Sequence, residues 1–166
     1  METAATGTAT DARHSDIVNQ ATREVFAMTA GLELTAHEED LDLTADGVII
    51  AVISLVGGVE WSLFLGLPRS TAEAVAAKFA GFEIPFDSAD MGDAVGELAN
   101  ILAGQVKTNL DRVGVQADIS LPSVMRAQSL SVLIQSNTAS RKTCFDSPLG
   151  KLWTGVTAGQ NAGLIA

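Results

Sequence analysis

The chain contains little cysteine, few aromatic residues and few basic residues. Its single cysteine, Cys144, cannot form a disulfide within the chain, so nothing indicates a disulfide-stabilised scaffold. Tyrosine is absent, and with only two tryptophans and six phenylalanines the core must be mostly aliphatic. Ten Lys and Arg residues against twenty Asp and Glu give a net charge of −10, which disfavours nucleic acid and anionic lipid as partners.

A long hydrophobic run is also missing. The longest apolar stretch, residues 48–56, is far too short to span a membrane. Residues 1–12 lack the basic and apolar regions of a signal peptide, and we expect them to form a disordered leader. These absences favour the cytoplasm as the compartment.

The length and the apolar content fit one domain, which we place at residues 13–158, followed by a C-terminal tail at 159–166. A chain of 166 residues buries roughly 70% of its unfolded surface on folding, so it needs neither a disulfide nor a metal for stability. Hydrophobic residues make up 47% of the chain, and with 15 glycines this exceeds the usual share. Self-association into a homodimer would bury the excess.

Apolar spacing and capping residues predict three helices. The first covers residues 14–30, the second runs from a Ser70–Glu73 capping box to Gly81, and the third covers residues 89–113 with Ser88 as its cap. The third helix would be about 37 Å long, the longest element of the molecule.

Several segments have the composition of β-strands. Residues 48–56 and 59–67 predict a hairpin with a two-residue Gly57–Gly58 turn. Further strand-like segments are 115–120, 129–136 and 143–157, the last interrupted by a turn at 147–150. In that last segment we expect Cys144 to be a small buried hydrophobe. The predicted fold class is therefore α+β, an antiparallel sheet with two long helices and one shorter helix packed on one face.

The predicted third helix has two contrasting faces. Its apolar face consists of Val95, Leu98, Leu102, Val106 and Leu110, with Met91 and Ile101 at the margin. The opposite row consists of Asp93, Glu97, Asn100, Gly104, Lys107 and Asp111, spaced three or four residues apart. A polar row of this kind is usually just the solvated face of a helix.

Three residues favour a functional row over a merely solvated one. Asn100 and Gly104 are poor residues for a helix interior, where Gly costs roughly 0.8–1 kcal/mol relative to Ala. Gly104 leaves a flat surface one turn beyond Asn100, so another protein could approach closely. Gly96 adds a further cost, although packing against the sheet could explain it.

The pattern Asp93-x-x-x-Glu97-x-x-Asn100, followed by Gly104, resembles the signature helix of the CheC/CheX/FliY family of chemotaxis phosphatases. The order of elements agrees with this resemblance over residues 14–157, and the CheX branch fits most closely. The resemblance implies a phosphatase that hydrolyses the aspartyl phosphate of a CheY-like response-regulator receiver domain.

The resemblance also implies a role for each residue. Asn100 would orient the attacking water, and Glu97 would pair with the partner's active-site lysine. Asp93 would support that contact, and Gly104 would permit close approach. The Mg²⁺ is expected in the partner receiver domain, with no metal on this chain, and the two histidines, His14 and His37, are too far apart in the sequence to suggest a zinc site.

One feature of the family is missing. CheC-type members carry the motif on two helices, whereas the first helix here offers only Asp16 and Asn19, with an aspartate in place of the glutamate. We therefore expect one site per chain, with Asp16, Asn19 and Arg23 on a solvated face, and a homodimer formed through the sheets as in CheX. The alternative function is a non-catalytic response-regulator docking module or adaptor that uses the same helix.

Overall fold

The structure, a computed structural model, describes residues 5–37, 46–131 and 139–159. The described helices are α1 (Ala5–Ala30), α2 (Arg69–Ala80) and α3 (Ala89–Arg112). The described strands are β1 (Thr35–His37), β2 (Val48–Gly57), β3 (Glu60–Pro68), β4 (Ala117–Ile119), β5 (Ser123–Ala127), β6 (Ala139–Ser147) and β7 (Gly150–Ala158). Residues 1–4 of the predicted leader and 160–166 of the predicted tail lie outside the described ranges.

All seven described strands form one antiparallel sheet in the order β1-β6-β7-β3-β2-β4. Strand β2 is long enough to pair with two short strands along its other edge. Its first half pairs with β5, where Val52 is opposite Ser123, and its end pairs with β4, where Gly57 is opposite Ala117. The sheet and the three helices confirm the predicted α+β fold class.

Side chains alternate between the two faces of the sheet, as the period of a β-strand requires. On one face, residues such as Ile49, Ile53 and Leu65 join the main core with the buried residues of the helices. On the other face, Val48, Ile50, Cys144 and Trp153 form a second buried cluster. The prediction that Cys144 is a buried hydrophobe is confirmed.

Trp153 of the second cluster explains a glycine in β3. Gly66 is opposite Trp153 in the register of these two strands. A Cβ on Gly66 would lie 2.1 Å from Cε2 of Trp153, so only glycine leaves room for the indole ring.

The predicted hairpin is present, but its loop is longer than expected. Val56 pairs with Glu60, which leaves Gly57, Gly58 and Val59 between the paired residues, where the sequence predicted two. The extra residue follows from tertiary contacts. Gly58 N donates to Gln116 O at 2.8 Å, and Val59 is buried in the main core.

Helix α1 begins at Ala5, whereas apolar spacing placed the start at residue 14. Residues 5–12 contain as many threonines as alanines, together with Gly7, so local helix propensity does not explain this extension. Part of the predicted leader is therefore helical.

The predicted capping box of α2 is wrong. The residue at the N-cap position is Pro68, no side chain caps the helix, and Ser70 lies within it. Glu73 Oε1 instead accepts a hydrogen bond from Phe86 N at 3.2 Å, because the connector to α3 folds back over the start of α2. The predicted C-terminal residue Gly81 is confirmed, with a left-handed φ of 83°.

The strand predicted at residues 129–136 is wrong for the part that the structure describes. Residues 129–131 are irregular, residues 132–136 lie outside the described ranges, and the described strand in this part of the chain is β5, which ends at Ala127. The predicted segments 115–120 and 143–157 do contain strands, and the turn predicted at residues 147–150 separates β6 from β7.

Candidate active site

Helix α3 starts at a well-fixed cap. The Ser88 hydroxyl accepts a hydrogen bond from Met91 N at 3.2 Å and donates one to Pro85 O at 2.6 Å. Arg126 of β5 donates from Nη1 to the carbonyl oxygens of Phe86 and Ser88, both at 2.7 Å. The start of α3 is therefore tied to the sheet as well as capped.

The two faces of α3 lie where the sequence placed them. Met91, Val95, Leu98, Leu102, Val106 and Leu110 are all buried in the main core, and Ile101 packs at its margin. On the opposite side, Asp93, Glu97 and Asp111 are exposed, and Asn100, Gly104 and Lys107 are partly exposed. We call these six residues the polar row.

Glu97 and Asn100 are one helical turn apart and next to each other on the outer surface of α3. No other residue in the described ranges forms a hydrogen bond or ion pair with either side chain. The row therefore presents a carboxylate and an amide, side by side and available to another molecule. The carboxylate can pair with a cation, and the amide can both donate and accept without titrating.

Asp93 and Gly104 lie one turn to either side of this pair. A Cβ on Gly104 would have no other atom within 4 Å, so its flat surface faces open space. Thr108 Oγ1 donates to Gly104 O at 3.0 Å, which satisfies a carbonyl on that side of the helix. All four predicted site residues thus lie on one straight row.

Gly96, the third unusual residue of the helix, faces the segment that leads into β5. A Cβ on Gly96 would lie 3.4 Å from Cγ2 of Val124 and 3.7 Å from Cγ of Pro122. Gly96 is buried because the segment that leads into β5 lies directly against the helix there. Both are ordinary van der Waals distances, so an alanine would fit here and packing alone does not require the glycine.

The helix is also held by contacts that its own pattern did not reveal. Gln105 Nε2 donates to Glu24 Oε2 of α1 at 2.7 Å and to Asn109 Oδ1 at 3.2 Å. Arg112 Nη1 donates to the same Asn109 oxygen at 3.0 Å. On the other flank, Lys107 Nζ is 3.5 Å from Asp118 Oδ1 of β4.

Beyond Lys107 the polar row continues into a groove of about 570 Å³ between the end of α3 and the tip of the β2–β3 hairpin. Its lining residues are Val56, Gly57, Gly58, Lys107, Asp111, Gln116, Ala117 and Asp118. No local pattern in the sequence indicates this groove, because its walls come from three separate segments.

The residues of α1 that partly match the motif have a different environment. Asn19 Nδ2 donates to Ser15 Oγ at 3.3 Å within its own helix, and Asp16 is exposed. The guanidinium of Arg23 lies over the Phe145 ring, 5.5 Å from its centroid. These contacts agree with the predicted solvated face.

Metal ligands are not gathered in the described ranges, where no three His, Cys, Asp or Glu side chains form a cluster that could hold an ion. His37 Nε2 lies 3.8 Å from Asp146 Oδ1, and the His14 side chain lies outside the described part of the chain. The expectation of no metal on this chain stays a prediction.

Comparison with known proteins identifies the family. Residues 49–146, which include all but the first residue of β2 and the whole of β3, α2 and α3, match the family model of the chemotaxis phosphatase CheX. The chain belongs to the CheX family. It is 32% identical over 85 residues to the CheY-P phosphatase CheX of Thermotoga maritima, an alignment that covers 51% of this chain and 55% of that protein. The chain thus spans about half the length of this curated relative.

Several solved structures share the fold of this CheX-family protein over most of its length. A CheC-like superfamily protein from Shewanella sp. PV-4 is 21% identical with a TM-score of 0.76, covering 87% of this chain and 96% of that one. A CheX of Borrelia burgdorferi, in a complex with CheY, BeF₃ and Mg²⁺, is 21% identical with a TM-score of 0.68, covering 87% and 96%. At these identities the likeness shows the fold.

None of the helices in the described ranges combines the length and the apolar character needed to cross a bilayer.

Proposed function

We propose that this protein is a phosphatase that hydrolyses the aspartyl phosphate of a CheY-like receiver domain. The observation that carries the proposal is the pair of Glu97 and Asn100 on the outer surface of α3, unpartnered among the described residues, in a chain of the CheX family. A relative described as a CheY-P phosphatase and a family member solved with CheY support the same substrate.

Hydrolysis of an aspartyl phosphate requires a water molecule in line with the phosphorus–oxygen bond that breaks. The Asn100 amide would accept a hydrogen bond from that water and hold it in line, while Glu97 pairs with the partner's active-site lysine. The water oxygen bonds to phosphorus, the partner's carboxylate is regenerated, and inorganic phosphate leaves. The partner's Mg²⁺ would neutralise charge on the phosphoryl oxygens.

Asp93 and Gly104 would serve docking in this proposal. Gly104 has open space around it, so the partner's backbone can approach the helix closely. Asp93 is exposed one turn before Glu97 and adds a second negative charge for a cationic partner residue.

A docking module without turnover is the second candidate, and an adaptor would use the same helix in the same way. It would share the acidic row and the flat glycine surface, but it would have no need for an amide at position 100. Turnover and binding therefore have to be measured separately.

A receiver-domain phosphatase would work in the cytoplasm, where its substrate is phosphorylated. We also propose a homodimer formed through the sheet, supported by the partly exposed Met125 on β5, a strand that pairs only with β2 among the described strands.

The test compares wild-type protein with Asn100→Ala on a Mg²⁺-loaded, phosphorylated receiver domain. We expect the wild type to accelerate phosphate release and Asn100→Ala to lower kcat about 100-fold, because the water loses its orienting group. The Kd for the receiver domain should hardly change. Asn19→Ala, in the partial motif of α1, is the matched control and should keep wild-type turnover.

Two results would contradict the proposed role of Asn100 or the phosphatase itself. If Asn100→Ala lost binding together with turnover, Asn100 would be a docking residue. If the wild type bound receiver domains from the same cell but accelerated none of them, the docking module would replace the phosphatase.

A further inference from the structure

A short extended segment runs along one flank of α3. At one end of this segment, Asp118 lies 3.5 Å from Lys107. At the other end, Pro122 packs against Gly96. The helix from residue 96 to residue 107 is about 16 Å long, and an extended chain from residue 118 to residue 122 covers about 13 Å. The two run in opposite directions, side by side.

These two contacts indicate where Leu121 lies along α3. Because Pro122 lies at Gly96, the residue before it lies level with the next part of the helix, toward Asn100. Gly96 and Asn100 are themselves neighbours on the helix surface, four residues apart. Leu121 therefore lies beside the turn of α3 that carries Glu97 and Asn100.

Leu121 is 88% exposed, although the residues on both sides of it are fixed. Ser120 N donates to Ser54 O at 2.9 Å, and Ser54 N donates to Ser120 Oγ at 3.0 Å. The same hydroxyl donates to Leu121 O at 3.0 Å. A lone exposed leucine is ordinary on a protein surface, but this one is held in place at the edge of the polar row.

We propose that Leu121 is an apolar docking residue for the phosphorylated receiver domain, which would contact it with an apolar side chain at the rim of its phosphorylation site. This inference rests on the proposed function, since the segment that holds Leu121 runs along the helix that carries Glu97 and Asn100. Because the segment is already ordered, docking on Leu121 loses little conformational entropy. Glu97 and Asn100 are polar, so Leu121 supplies the apolar area that they lack.

The test uses Leu121→Ser, with Phe82→Ser as a matched control. Phe82 is 62% exposed in the connector between α2 and α3, so both variants remove an exposed apolar side chain. Three quantities are measured: the Kd for a receiver domain loaded with Mg²⁺ and beryllofluoride, by calorimetry, and the kcat and KM for phosphate release.

We expect Leu121→Ser to raise Kd and KM about tenfold, the loss for one leucine that becomes buried on binding. The kcat should stay at its wild-type value, because Leu121 does not touch the reacting atoms. Phe82→Ser should leave all three quantities unchanged, and Leu121→Met should stay within about twofold of wild type.

An unchanged Kd for Leu121→Ser would overturn the inference and leave the phosphatase intact. So would sedimentation data in which Leu121→Ser dissociates a dimer, because Leu121 would then serve a contact between copies of this chain. If the wild type bound the receiver domain without releasing phosphate, the proposed phosphatase would fail, and the comparison of Kd values would still decide the role of Leu121. Absence of binding by the wild type would overturn both.

Discussion

Asn100 and Glu97 suit different tasks at a phosphorylated carboxylate. An amide is neutral, so it can lie near phosphoryl oxygens without repelling them, and it offers both a donor and an acceptor to water. A carboxylate in that place would repel the phosphoryl group, but one turn away it can pair with a lysine. In the proposed mechanism, the phosphatase therefore needs the amide at position 100 and the carboxylate at position 97, and the reverse order would not serve.

Gly104 provides a test at the residue scale in which stability and function change in opposite directions. We expect Gly104→Ala to raise the free energy of unfolding by roughly 0.5–1 kcal/mol, since alanine is the better helix former and a Cβ meets no atom. The same methyl group should raise KM for the receiver domain by keeping the partner's backbone away. Urea denaturation and steady-state kinetics measure the two effects.

Gly92→Ala is the control for this prediction. Gly92 also lies within α3 with open space around its Cβ position, but it is outside the polar row. It should give a similar gain in stability with an unchanged KM. Equal effects of both variants on KM would remove Gly104 from the docking surface.

At the scale of elements, α3 is a rigid carrier because it is fixed at several points. Its N-terminal turn is capped by Ser88 and tied to β5 by Arg126, and its C-terminal half is tied to α1 through Gln105. Arg69 holds the connector between α2 and α3. Its Nη1 is 3.1 Å from Asp87 Oδ2, and its guanidinium is 4.2 Å from the centre of the Phe86 ring. A site placed on such a helix keeps its geometry when a partner binds.

Replacing the two serines near the helix starts by alanine should lower the free energy of unfolding by different amounts. Ser88→Ala should lower the free energy of unfolding by about 1 kcal/mol, because Met91 N loses its side-chain acceptor. Ser70→Ala should change it by less than about 0.5 kcal/mol, because Ser70 caps nothing in α2. Urea denaturation of the two variants measures both values. A large loss for Ser70→Ala would restore the capping box that the sequence indicated.

At the scale of the whole molecule, the question is whether the sheet face that points away from the helices needs a second copy of the chain to cover it. Its central residues Val48, Ile50, Cys144 and Trp153 are already buried within one chain. The apolar excess that favoured a dimer is thus partly buried within one chain, so it does not by itself require a second copy. The support for a dimer comes instead from β5, where Met125 remains 53% exposed.

Sedimentation of Met125→Asp tests the proposed dimer at this scale. We expect the wild type to sediment as a dimer and Met125→Asp as a monomer, because a charge on the β5 surface disfavours pairing there. Met28→Asp is the control, since Met28 is 70% exposed on α1, away from the sheet, and should leave the dimer intact. A monomeric wild type would reject the homodimer, and a dimeric Met125→Asp would move the interface elsewhere.

The sequence by itself determined the elements whose pattern repeats locally. The 3.6-residue period separated the buried face of α3 from the polar row, Ser88 and Gly114 marked its ends, and the match to the family motif pointed to Glu97 and Asn100. The β2–β3 hairpin and the turn between β6 and β7 were predictable for the same reason, since glycine and proline act within a few residues.

Only the tertiary structure decided which distant segments meet. It placed β5 beside β2, gave Glu73 the Phe86 amide as partner, and packed Pro122 against Gly96. These contacts depend on shape and on the satisfaction of backbone groups across the sheet, which no local period encodes. Leu121 acquires its place beside the polar row in the same way, because the position of an exposed residue is set by what its neighbours pack against.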